Sequence, residues 1–379
     1  MISALTVGYH SLDRSTISTE SVNMAVANAV ESKDAVTPSA VSNNGQEGQA
    51  GAFERARLRM MMLIRRFEER TYQEYTKPGQ KIGGFCHLYS GQEAIAVGIA
   101  AHFRRGIDAL INGYRCHGHS LALGMDPMPA MAELFGKVTG CSKGKGGSMH
   151  LFDAEAGNHG GHGIVGGQLP LGLGFAFSQW YKKNSGVTFC LFGDGAVNQG
   201  THNEALNMAS LLKVPCIFMV ENNLMAMGTQ VERHSAVTDL SQRAAGYNMP
   251  SRNVDAMDVD TVIAELGKAV ERGRRNEGPS YLVMNTYRYR GHSMSDPLKY
   301  RPKEEADQWK ARDPIGLYES RLREKKLVDD AWLDNAAEEI AATVNEAIAK
   351  ADSDPNPDLE DRFNDILAET YPYGGIPRR

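Results

Sequence analysis

The chain has 379 residues, 42% apolar and 23% charged, which is enough apolar material for an ordinary buried core. A net charge of −5 without a basic block argues against nucleic acid as the main partner, and no apolar stretch approaches the length of a membrane span. The five cysteines (Cys86, Cys116, Cys141, Cys190, Cys216) are odd in number and contain no CxxC pair, a pattern of reduced thiols in a cytosolic protein rather than a disulfide frame or zinc site.

Residues 1–52 are rich in Ser, Asn, Ala and Thr and lack periodicity, and they read as a mobile tail. One arginine (Arg14) among several acids makes this a poor transit peptide, and no secretory pattern is present, so a bacterial cytoplasmic protein is expected. Order is expected from about Phe53, where Met60, Leu63, Ile64 and Phe67 have helical spacing. The block Met60–Ile64 is wider than one stripe. Burial against a second subunit and a plain core helix explain it equally well. Residues 83–180 are dense in glycine, as where backbone packs closely against backbone or ligand. Strands alternating with helices are expected through about Asn285, and a charged, mainly helical region from Lys303 to Leu367, broken by DSDPNPD.

One βαβ unit carries the chemistry. VTFCLF (187–192) reads as a strand buried on both faces, and Ala205, Met208, Ala209 and Leu212 mark a following helix. Thr201 and Glu204 suggest a capping box at its start, while Lys213 and Pro215 are stop signals. VPCIFMV (214–220) is the second strand. Gly193-Asp194-Gly195 and, 26 residues later, Asn222-Asn223 then stand at the carboxyl ends of parallel strands, the edge where open α/β sheets bind ligands. Neighbouring strands lie roughly 5 Å apart. The Asp194 carboxylate and Asn223 amide oxygen would therefore converge on one hard cation that keeps places for phosphate oxygens, and a magnesium diphosphate is the inferred ligand.

GFCHLYSGQEA, GYRCHGH, GKGGSMH, GGHGIVGGQLPLG, GDGAVNQG, ENN with MGT, and YRYRGHSMSDP occur in that order. In this the chain resembles, from about Phe53 to Tyr371, the alpha subunits of the thiamine-diphosphate-dependent 2-oxo acid dehydrogenase family, and within it the pyruvate dehydrogenase branch. The resemblance implies an α/β thiamine-diphosphate-binding fold, with a mainly parallel sheet flanked by helices and helical N- and C-terminal extensions. It implies one such domain over 53–371 and a short tail at 372–379. It implies Mg2+ held by Asp194, Asn223 and the carbonyl of Met225, where the family usually has tyrosine. It implies diphosphate contacts from Tyr114, Arg115, Gly195 and Ala196, and an aminopyrimidine contact from Gly163 and Val165. Met227 resembles the wedge beneath the folded cofactor, His292 the histidine that reaches the diphosphate and closes the site, and His87 a histidine at the substrate end. Catalytic roles are thus expected for His87 and His292.

The implied reaction is oxidative decarboxylation of pyruvate, with acetyl transfer to the lipoyl group of a dihydrolipoamide acetyltransferase. A separate beta subunit would supply the glutamate that activates the cofactor, in an α2β2 heterotetramer. Ser293 matches a serine phosphorylated in mitochondrial relatives, and Lys299 stands about where a second such serine lies. Rival readings are a branched-chain 2-oxo acid or acetoin dehydrogenase, which the GHSMSDP loop disfavours, and a non-catalytic scaffold, which the intact Asp194, Asn223, Arg115 and His292 disfavour. GLGFAF (172–177) lacks the last residue of a dinucleotide turn, and GCSKGKGGS lacks the P-loop spacing. His117, His119, His150, His159 and His162 have no matching Cys or acid set for zinc.

Overall fold

The computed structural model describes residues 50–365; of the expected tail at 1–52, residues 1–49 lie outside the described residues and 50–52 are helical, and the expected tail at 372–379 lies outside the described residues. Helix α1 (Ala50–Thr76) begins at Ala50 rather than near Phe53. It buries Leu58, Met61, Ile64 and Phe67 completely, while Met60, Met62 and Leu63 are only partly covered. Then come α2 (Glu93–Ala100), β1 (Ala109–Gly113), α3 (His117–Ala122), α4 (Pro127–Leu134), β2 (Asn158–His162), α5 (Gln168–Lys182) and β3 (Thr188–Gly193). Next are α6 (Gly200–Leu212), β4 (Cys216–Asn222), the short strands β5 (Met225–Ala226) and β6 (Thr229–Gln230), and α7 (Val231–His234). β7 (Ser251–Asp255), α8 (Val259–Arg274) and β8 (Ser280–Asn285) complete the sheet, and α9 (Lys303–Lys310), α10 (Pro314–Glu324) and α11 (Asp330–Ser353) follow. Among the described residues the break at DSDPNPD leads to a short 3-10 turn, Leu359–Phe363.

Six strands form one parallel sheet in the order β2-β1-β3-β4-β8-β7. The central strands are buried on both faces, which explains their continuous apolar runs. Alternate residues of β3 face opposite ways. Phe189 and Leu191 join the core beneath α1, α2 and α8, whereas Cys190 and Phe192 join the core beneath α5 and α6. The expected pairing of β3 with β4 is present, with Gly193 opposite Glu221. From β1 the chain proceeds to β2 on one side and later to β3 on the other, so the strand order reverses at β1 and opens a crevice at the carboxyl edge.

The stop signals of α6 act as expected, with Lys213 at φ +53° in the left-handed region ahead of Pro215. The capping box does not form. Gln199 is the N-cap, without a side-chain bond, and Thr201 Oγ1 instead donates to the Gly166 carbonyl at 3.1 Å. That bond ties the helix start to the loop before α5. Among the described residues no helix is long and apolar enough to cross a membrane.

Candidate active site

The carboxyl ends of β1, β2, β3 and β4 converge on a cleft of about 260 Å³. Tyr114 and Arg115 enter from β1, Asp194, Gly195 and Ala196 from β3, and Asn223 from β4; Arg288 and His292 close it from beyond β8. A wider mouth of about 700 Å³, lined by Phe85, His87 and Gly163, shares Tyr114, Val165, Met227 and His292 with the cleft. Every site residue expected from sequence therefore lines one of two connected spaces.

Asp194 is 2% exposed, and its Oδ2 meets only His234 Nε2, at 3.4 Å. The Asn223 side-chain amide is anchored at its nitrogen, which donates to Gln92 Oε1 at 3.2 Å, and the main-chain carbonyl of Asn223 accepts from Arg301 at 2.7 Å. The side-chain Oδ1 is buried without a hydrogen-bond partner. A buried orphan acceptor costs roughly 1–3 kcal/mol, so this oxygen awaits something from the cleft. Among the described residues no three His, Cys, Asp or Glu side chains gather as a metal cage. One carboxylate, one amide oxygen and a main-chain carbonyl suit a hard cation whose remaining ligands come from phosphate and water, as magnesium prefers.

Met225 and Ala226 pair with Thr229 and Gln230 in a hairpin whose tip is Met227-Gly228. Met225, at the position where tyrosine was expected, is buried. Leu224 and Met227 hold φ values of +67° and +54°, a strain of roughly 1–2 kcal/mol each for non-glycine residues. Met227 is nevertheless 64% exposed, an apolar side chain held out into the cleft. Gly195 has a packing reason to lack a side chain: a Cβ there would stand 2.7 Å from that of Ala226.

The opposite wall is cationic. Arg115 donates to the carbonyls of Leu88 (2.6 Å) and His292 (2.7 Å), and burial pushes its pKa down. Arg288 donates to the carbonyls of Arg290 (3.1 Å) and Met227 (3.3 Å) and to Tyr300 Oη (3.0 Å). Burial, then Arg115 and Arg301, lower its pKa to about 10. Arg288 Nη1 also lies 3.5 Å from His292 Nδ1, and among the described residues no carboxylate bonds directly to either buried guanidinium, an arrangement suited to a phosphate. Arg288 was not singled out from sequence. The signal was available, because YRYRG directly follows the β8 run and the carboxyl-edge rule applies to that strand as well.

The rings of His87, Tyr114 and His292 cluster at the mouth, with centroids 4.5 Å (His87–Tyr114), 5.3 Å (His87–His292) and 5.6 Å (Tyr114–His292) apart. Burial and then Arg115 lower the pKa of His87 to about 2 and that of His292 to about 3, so both are neutral at pH 7. The unfolded chain takes up protons on these rings near pH 6.5, but the folded cleft does not until far lower pH. Their contribution to stability is therefore complete above pH 6.5 and lost as pH falls toward 3 and below. The cofactor-free protein should show a melting temperature that declines through this window, and His87→Gln should flatten the decline; a pH series of thermal melts checks both.

Ser293 is buried in the mouth, its Oγ 2.9 Å from Ser295 Oγ. Three of the five histidines set aside as zinc ligands have separate hydrogen-bond partners: His117 meets Glu68 and Ser148, His119 meets Glu221 at 3.0 Å, and His150 Nδ1 lies 2.9 Å from the Gly161 carbonyl; His159 stacks on Phe175.

A parallel sheet with a polar, arginine-lined cleft at its carboxyl edge defines the class, an α/β enzyme. The pattern of the dehydrogenase E1 component family matches residues 59–360, and the chain belongs to that thiamine-diphosphate-dependent family. It is similar to the pyruvate dehydrogenase E1 component subunit alpha of Rhizobium meliloti, 50% identical over 82% of this chain and 88% of that protein. The proteins of the same description from Zymomonas mobilis and Rickettsia felis are 48% and 42% identical, over 83% and 81% of this chain and 88% and 93% of their own lengths.

Proposed function

We propose that this chain is the alpha subunit of a pyruvate dehydrogenase that binds thiamine diphosphate with Mg2+ and acts with a beta subunit in an α2β2 assembly. Asp194, the Asn223 amide oxygen and the Met225 carbonyl hold the cation. Arg115, Arg288, Tyr114 and His292 face the diphosphate, beside the backbone of Gly195 and Ala196. Gly163 and Val165 meet the aminopyrimidine end, and Met227 supports the cofactor from below. The observation that carries this reading is the pairing across one cleft of an unpartnered Asn223 Oδ1 with two guanidiniums to which, among the described residues, no carboxylate is hydrogen-bonded.

Thiamine diphosphate supplies the nucleophilic carbon and electron sink that a 2-oxo acid needs to lose carbon dioxide. The chain's own residues bind and orient. The guanidiniums fix the anionic end, and the neutral imidazoles of His87 and His292 stand at the mouth as groups able to accept a proton or position the acyl unit. The two-carbon product passes to the lipoyl group of a dihydrolipoamide acetyltransferase, and the whole complex, in the cytoplasm, yields acetyl-CoA.

The test is pyruvate-dependent reduction of an artificial electron acceptor by the complex captured through this chain, with and without thiamine diphosphate and Mg2+. Cofactor-dependent turnover favouring pyruvate over a branched-chain 2-oxo acid is expected. Preference for the branched acid would overturn the substrate, and absence of turnover on both would overturn the enzyme assignment.

A further inference from the structure

His87 lies in an irregular segment whose main-chain groups have identifiable partners. The carbonyls of Cys86, Leu88 and Ser90 accept from the N–H of Met294 (2.9 Å), the guanidinium of Arg115 (2.6 Å) and the N–H of Tyr289 (3.1 Å). These partners belong to the cleft and its closing loop. The N–H groups of His87 and Tyr89 point into the protein, where they donate to Ser148 Oγ (3.1 Å) and Glu68 Oε1 (3.0 Å).

Ser148 and Glu68 are joined by one ring. His117 Nδ1 lies 3.1 Å from both oxygens of Glu68, and its Nε2 shares a hydrogen bond of 2.8 Å with Ser148 Oγ. Glu68 and His117 are fully buried and Ser148 is 4% exposed, so the three cannot meet substrate. Ser148 is itself fixed by an anchored loop. The buried carboxylate of Glu133 accepts the N–H groups of Ser142 (2.8 Å), Gly144 (2.9 Å), Gly146 (2.7 Å) and Gly147 (2.9 Å), the last immediately before Ser148. The Nδ1 of His87, by contrast, is buried with no partner, free to bond with a ligand in the mouth.

We propose that Glu68, His117 and Ser148 are positioning residues, a buried relay that holds the His87 main chain from behind so that its imidazole presents Nδ1 at the substrate end of the cleft. The inference deepens the proposed function and rests on its assignment of His87. Hydrogen bonds in a dry interior are short-ranged and directional, so loss of one anchor lets the segment drift, and small misplacement of a reacting-centre group lowers kcat more than it lowers remote binding.

The experiment is a double-mutant cycle on the complex assembled with its partner, using His87→Ala and Ser148→Ala. Pyruvate turnover and thiamine diphosphate affinity are measured for each variant. Ser148→Ala is expected to lower kcat about tenfold with cofactor affinity unchanged, and to add nothing in the His87→Ala background. Wild-type turnover in Ser148→Ala, or a loss that multiplies with that of His87→Ala, would overturn the relay while leaving the proposed function intact. Full activity in His87→Ala would remove the assigned role of His87 and the relay with it. Absence of cofactor-dependent turnover in the unmutated complex would instead overturn the functional reading. Glu68→Gln, which keeps side-chain volume, runs the same cycle if Ser148→Ala fails to assemble.

Discussion

Replacing Asp194 by Asn should lower the affinity of the assembled complex for thiamine diphosphate with Mg2+ by at least about 100-fold without lowering the stability of the cofactor-free protein. The two effects separate because the carboxylate has a function and almost no structural partner. It is buried, and its one polar contact is His234 Nε2 at 3.4 Å. Breaking a buried charge pair typically costs about 3–5 kcal/mol, of which about 3 corresponds to two powers of ten in affinity. Asparagine keeps the shape and removes a desolvated charge, so the cofactor-free melting temperature should hold or rise. Titration calorimetry and thermal melts, each with and without cofactor, read the two quantities. Unchanged affinity would show that Asp194 is not a metal ligand. A collapse of the cofactor-free protein would show that the carboxylate holds the fold.

The β3–α6–β4 unit was legible because its signals are local. Uninterrupted apolar runs mark strands covered on both faces, helical spacing marks the crossover, and the crossover makes the strands parallel neighbours. Asp194 and Asn223 could be paired across the sheet edge for that reason, and β3 and β4 are adjacent as expected. What escaped depends on contacts between distant segments. Thr201 turned from an expected capping box to the Gly166 carbonyl, since the backbone it serves is thirty-five positions upstream. Glu68, His117 and Ser148 stand on α1, α3 and a glycine-rich loop, and no pattern within any one of those segments marks them as a unit. Arg288 follows β8, whose place beside β4 depends on a chain reversal after β7 that strand periodicity does not encode. Residues on one strand and its own turn declare themselves, whereas residues that act through a neighbour need the fold.

The chain alone should turn over pyruvate at less than about 1% of the rate of the complex, and mixing it with its beta-type partner should restore activity. The cleft gives the reason. Among the described residues, the carboxylates lining the two connected spaces are Asp194, Glu221 and Asp296. Glu221 accepts from Tyr89 Oη at 2.6 Å and from His119 at 3.0 Å, and Asp296 accepts the N–H groups of His292 (2.7 Å) and Leu298 (3.0 Å) along with the Tyr300 hydroxyl. With Asp194 proposed to hold the cation, none of these three is left for the base proposed at the aminopyrimidine ring, and the proposed function expects that group from the beta-type partner. The surface beside the cleft fits such a partner. Ile164 and Val165 at the rim and Leu171, Phe177, Trp180 and Tyr181 on α5 are all exposed. Exposed apolar side chains gathered on one helix and the neighbouring cleft rim, with Phe177 against Trp180 and Tyr181, fit an interaction face. The isolated chain should accordingly self-associate in sedimentation, and addition of the partner should convert it to a defined heteromer as turnover appears. Turnover by the isolated chain at a rate comparable to the complex would place the missing base within this chain.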